Sequence, residues 1–180
     1  MSEDARTDRE LVEAANDGDL GAFDALYLRY RDWVVRLAWR FTRSDSDALD
    51  VLQETFHYLL RKLPRLRLTA RMTTFLYPVV RNLSIRAQRR KRRAAPGDDI
   101  LPDLPAPPSP KRASRKELAA VLRTLPEEQL EVVLMRFVDD MALAEIAEAL
   151  SIPLGTVKSR LHNALNALRE DPRTRSYFLE

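Results

Sequence analysis

From Thr55 to Gly97 the sequence runs 43 residues without an Asp or Glu, yet holds twelve of the chain's thirty Lys and Arg. The cations are Arg61, Lys62, Arg65, Arg67, Arg71, Arg81, Arg86 and the unbroken run Arg89–Arg93. Phe56, Tyr58, Phe75 and Tyr77 are interleaved with them. Cations with no acid close in sequence suit phosphate groups, and aromatic rings beside them suit unstacked bases. A solvated basic face over core aromatics fits a charge run equally well, so the rest of the chain has to discriminate.

Other chemistry is scarce. There is no cysteine, and His57 and His162 stand alone, which argues against a disulfide, a thiolate site or a histidine metal centre. Asp47, Asp50 and Glu54 fall at i, i+3 and i+7 beside Gln53, but three acids without a histidine or catalytic partner make a poor metal site. No nucleophile–base pair is evident, so neither catalytic residues nor a cofactor is expected. The remaining cluster is Gly155 to Asn166. With Val157 at zero and about 100° per residue, Val157, Leu161, Ala164, Leu165 and Leu168 share one side. Ser159, His162, Asn163 and Asn166 fall opposite, flanked by Lys158 and Arg160. Asn, Lys, Arg and Ser are side chains that read base edges or hold phosphates, and Gly155 and Thr156 open a helix whose amides could meet a phosphate. An αα-hairpin with a polar outer face shares this pattern.

Both clusters must be positioned by helices. Apolar residues recur at helical spacing over Asp8–Asn16, Asp19–Thr42 and a third helix that ends near Lys62. In the third, Leu49, Leu52, Phe56, Leu59, Leu60 and Leu63 are expected inward. Gly18 suits the end of the first helix, and Ser44–Asp47 the start of the third. Arg65–Thr73 reads as a basic loop. A fourth helix carries Leu76, Val79, Val80, Leu83 and Ala87, with Pro78 either in its first turn or kinking it. Ala94–Pro110 holds six of the eleven prolines and reads as a linker. Helices resume at a capping box, Ser114–Glu117, and again at Pro126. Asp139-Asp140 makes a turn, and helices Leu143–Leu150 and Leu154–Leu168 flank Ser151-Ile152-Pro153 in helix-turn-helix order. No strand is evident. The expectation is an all-α chain of two small helical domains, residues 1–93 and 114–180, joined by a Pro-rich linker at 94–113. A polar, acidic N-terminus and no long apolar run argue against a signal peptide or membrane span and for a cytoplasmic protein.

Leu125-Pro126-Glu127-Glu128-Gln129, Glu145-Ile146-Ala147 and Gly155–Leu161 closely resemble region four of bacterial sigma factors. Asp47–Phe56 resembles region two, as does the Arg81-Asn82-Leu83 step. The order and the single linker resemble the extracytoplasmic-function group of the sigma-70 family. That resemblance implies a non-catalytic promoter-specificity subunit. Asp47, Asp50, Gln53 and Glu54 would dock on the clamp helices of the largest subunit of core RNA polymerase, and the flap of the second-largest subunit would be a further contact. Arg65, Arg67, Arg71, Phe75 and Tyr77 would belong to the base-capturing minus-ten region, with Arg81, Asn82, Arg86, Arg89 and Arg90 on nearby phosphates. Gly155, Thr156, Lys158, Ser159, Arg160, His162 and Asn163 would enter the minus-thirty-five major groove. Promoter DNA and an anti-sigma inhibitor are the other implied partners. A stand-alone helix-turn-helix regulator with an N-terminal sensor or dimerisation domain is the alternative, and a small nuclease a more distant one. Four positions depart from the family: Phe75 for Trp, Arg86 for Asp, Ala142 for a capping Ser or Thr, and Ser151 for the turn Gly. The last two predict a helix short of a cap worth about 1 kcal/mol and a left-handed backbone at Ser151.

Overall fold

The computed structural model describes residues 4–94 and 118–174, all helices, turns and connecting segments with no strand among them. The chain divides into two compact units, Met1–Asp99 and Ile100–Glu180. The proline-rich segment and the capping box expected at Ser114–Glu117 lie outside the described residues.

The first unit contains α1 (Asp8–Asn16), α2 (Leu20–Thr42), α3 (Asp45–Lys62), a 3-10 turn (Leu63–Arg65) and α4 (Met72–Ala94). Local chemistry accounts for the boundaries. Thr7 and Glu10 form a reciprocal capping box on α1, satisfying two amides that a helix start leaves open. Gly18, at φ 95°, closes α1. Its amide donates to Ala15 and the Asp19 amide to Ala14, the paired bonds of a Schellman ending. Asp19 and Ser44 cap α2 and α3. Near the N-terminus Asp8 accepts from Arg29, at 2.7 Å, and from Tyr30. Burial, and then this hydrogen bond, push the Tyr30 phenol well above its ordinary range.

The structure departs from the sequence reading at two exposed leucines and at the start of α4, and it decides the position of Pro78. Leu49 and Leu60 are about half exposed, because the buried arc of α3 runs through Ala48, Val51, Leu52, Thr55, Phe56 and Leu59 and both leucines fall beyond its edge. Helix α4 begins at Met72, so the preceding loop is shorter than expected. Pro78 is the seventh residue of α4, past the first turn, where it removes the amide that would bond the Thr74 carbonyl. Helices α3 and α4 run antiparallel: Tyr58 lies beside Phe75, Glu54 beside Arg86, and Asp47 beside Lys91.

The second unit consists of a helical segment over residues 118–122 (α5), then α6 (Glu127–Phe137), α7 (Leu143–Leu150) and α8 (Leu154–Glu170). Val121, Leu125, Val133, Ala164 and Leu168 form a core joining α5, α6 and α8. Ala142 offers no capping side chain, but Glu145 still accepts from its amide at 2.7 Å, so half of the capping box survives. Ser151 is left-handed, at φ 54° and ψ 43°. Its amide bonds Glu148, and that of Ile152 bonds Ala147, a Schellman ending built without glycine.

Candidate nucleic-acid interface

In the second unit, α8 separates by face. Val157, Ala164 and Leu168 are buried, and Leu161 and Leu165 pack against the same core. Lys158, Ser159, His162 and Asn163 are consequently exposed, as is Gly155, where an added Cβ would meet nothing within 4 Å. Ser159 Oγ donates to the Thr156 carbonyl at 3.0 Å, which leaves the hydroxyl oxygen able to accept. His162 Nε2 and Asn166 Nδ2 are 2.9 Å apart, steadying the imidazole from the next turn. Two expected contacts have other duties. The Thr156 amide donates to the Pro153 carbonyl at 2.9 Å, and the Arg160 guanidinium pairs with Glu128 at the start of α6. Arg160 therefore ties α8 to α6.

In the first unit, the chain between the 3-10 turn and α4 alternates. Arg65 and Arg67 are exposed, while Leu66 and Leu68 are half-buried, so the leucines turn the arginines outward. Asn16 Nδ2 donates to the Leu66 carbonyl at 2.8 Å, anchoring the segment to α1. Arg71 is also exposed. The Phe75 ring is half-buried, 6.3 Å from Tyr58, whose face carries the Lys62 ammonium at 5.5 Å. Tyr77 requires a correction. Only 2% of its surface is exposed, so it packs in the core and offers no ring face to a base. Phe56 likewise packs inside, with Phe23 and Tyr27.

The acid-free run is not free of acids in space. Arg86 of α4 pairs with Glu54 of α3, and Lys91 approaches Asp47 at 3.8 Å. Arg86 and Arg90 also line a groove with Asp50, Glu54 and the apolar Val51, Leu83 and Ala87. Sequence distance concealed this pairing, because antiparallel packing brings residues 47–54 against 86–91. Solvent-facing pairs of this kind contribute about 0–1 kcal/mol, weakly enough to exchange partners. Asp50 and Gln53 stay exposed, and so do Asn82, Arg89 and Arg90, with Arg81 half-buried.

Comparison with known proteins matches both units. Residues 26–94 match the family model "Sigma-70 region 2" and residues 115–168 match "Sigma-70, region 4". The RNA polymerase sigma-H factor of Pseudomonas aeruginosa is 31% identical, over 89% of this chain and 91% of its own. The ECF RNA polymerase sigma-E factor of Escherichia coli K12 is 30% identical, over 90% and 92%. SigW, an ECF RNA polymerase sigma factor of Bacillus subtilis, is 26% identical, over 92% and 96%. Solved folds are similar as well. CnrH, in complex with the cytosolic domain of CnrY, has a TM-score of 0.66 at 22% identity, covering 89% of this chain and 93% of that one. The sigma factor RpoE of Bartonella quintana, bound to the anti-sigma factor NepR, scores 0.62 at 19%, covering 82% and 94%.

Proposed function

We propose the function of this chain from one premise: it belongs to the sigma-70 family of RNA polymerase sigma factors, in the extracytoplasmic-function group. It is a promoter-recognition subunit that binds core RNA polymerase and promoter DNA. The observation that carries this reading is a helix-turn-helix with an exposed polar face, on the same chain as a region-two unit. A stand-alone regulator would leave that first unit unexplained.

In this reading Lys158, Ser159, His162 and Asn163 read the minus-thirty-five major groove, where Lys favours guanine and Asn adenine. Gly155 and Thr156 lie close to the backbone there, and Arg160 holds the helix in place. In the first unit Asp47, Asp50, Gln53 and Glu54 dock on polymerase. Arg65, Arg67 and Arg71, with Phe75 at the edge, take an unstacked minus-ten base and its phosphates. Arg81, Asn82, Arg89 and Arg90 hold the neighbouring backbone, and Arg86 joins them when released from Glu54. The subunit is non-catalytic, and residues 94–113 act as the linker between domains 1–93 and 114–180. An anti-sigma inhibitor is a further partner. CnrH and the Bartonella quintana RpoE were solved as complexes, and a small protein co-purifying with the chain from its host would identify the inhibitor.

Reconstitution with core polymerase on promoter DNA tests the reading. Specific initiation is expected only when chain and core are both present. Tight, sequence-specific promoter binding by the free chain alone would favour a stand-alone regulator.

A further inference from the structure

Helix α2 ends in a shorter acid-free stretch. Residues 33–44 contain no Asp or Glu, but include Arg36, Arg40, Arg43, Trp33 and Trp39. Arg36, Trp39 and Arg43 fall at i, i+3 and i+7 and so share one face of the helix. Arg36 and Arg43 are exposed and Trp39 is half-buried. The Arg43 guanidinium lies over the Trp39 ring, 5.1 Å from its centroid, so the indole holds one cation outward instead of burying in the core. Arg43 ends α2 in a left-handed conformation, at φ 52°, which turns the chain away and leaves its side chain at the edge of the unit.

The end of α2 that carries Arg43 meets α4. Gln88 Nε2 donates to the Phe41 carbonyl, which brings the last turn of α2 beside α4 one residue before the exposed Arg89 and Arg90. On α4 the cations divide. Arg86 and Lys91 meet acids of α3 and Arg90 lines the α3–α4 groove, whereas Arg89 is exposed and is not among the groove's lining residues. Exposed Arg43 of α2 and exposed Arg89 of α4 therefore both lie near the point where the two helices meet. At about 1.5 Å per residue, Arg36 and Arg43 stand about 10 Å apart along the helix axis. That is about three steps of one DNA strand at 3.4 Å each.

We infer that Arg36 and Arg43 of α2 are phosphate contacts, extending the DNA track of the first unit across the α2–α4 edge, with Trp39 supporting Arg43. The inference rests on the promoter-binding reading above and adds a surface to it. Each contact neutralises one phosphate and releases its counterions, so the signature is the salt dependence of binding, without a change in base preference.

The test uses holoenzyme assembled from core polymerase and the full chain, with Arg36→Gln and Arg43→Asn combined. Gln keeps helix propensity at position 36, and Asn tolerates the left-handed backbone at position 43. Promoter affinity is measured over a salt series, and core binding is measured separately. The expected result is a log–log salt slope shallower by about 2, with unchanged core binding and unchanged ranking of promoter variants. Lys at both positions should restore the slope. An unchanged slope overturns the inference, and so does weakened core binding in its place, which would make the α2 stripe a protein-binding surface. Failure of wild-type holoenzyme to bind promoter DNA would instead overturn the functional reading itself, so the two failures are distinguishable.

Discussion

Helices α4 and α8 both carry candidate DNA contacts, yet their side chains are organised by different rules. Helix α8 packs along one stripe, through Val157, Ala164 and Leu168, and its opposite face is open. Helix α4 packs against both α2 and α3 and buries Thr73, Thr74, Tyr77 and Ser84 along with Met72, Leu76 and Val80. A helix with one buried stripe divides cleanly into core and surface. A helix held on two sides does not, since polar residues enter its core and its outer cations meet acids from a neighbour. Arg160 of α8 and Arg86 of α4 both end in interhelix ion pairs, but they differ in exposure. The Arg160 side chain is 23% exposed and fastens one helix to another. Arg86 is 68% exposed and remains accessible to a competing phosphate.

The contrast can be broken most severely at α3. Reversing Asp50 and Glu54 to Lys should abolish holoenzyme formation in a core-binding assay, since like charges brought together across an interface cost several kcal/mol. Full binding by that variant would remove the acidic face from the docking surface. Tyr77→Ala comes next. As a core residue it should destabilise the first unit by about 3–5 kcal/mol in denaturant unfolding. A base-stacking role would instead leave stability intact and slow promoter opening. On α8, Lys158→Ala and Asn163→Ala should each change promoter discrimination by about 1–3 kcal/mol at one base position, with core binding untouched. If selection among promoter variants does not move, the outward face of α8 has another purpose. The smallest effect concerns the cap of α7. Ala142→Ser should stabilise the second unit by about 1 kcal/mol, read from its melting temperature. No gain would mean that the open amides of that helix start are served as well by water as by a hydroxyl.

Local signals were legible wherever the cause lay within a few residues. Asp19 and Ser44 cap the helices they were expected to start, Gly18 closes α1, and α7 and α8 flank Ser151-Ile152-Pro153 as their spacing implied. Misreadings arose where a distant helix decided the outcome. Leu49 and Leu60 are apolar and in plausible phase, but no neighbouring helix covers them fully. Tyr77 belongs to a basic, aromatic segment, yet packing on two sides draws it inward. The cations of α2 are spaced among apolar residues, and no long unbroken run marks them.

The sequence by itself determined the helical class, the order of the elements, the caps and the outward face of α8. Periodicity, capping chemistry and amphipathicity act within one helix, and each leaves its mark on adjacent positions. Only the tertiary structure decided which cations of α4 meet α3 acids, that Arg160 fastens α8 to α6, and that α2 shares an edge with the basic end of α4. Those outcomes depend on groups 30 or more residues apart in the chain, brought together by helix packing that no local pattern encodes.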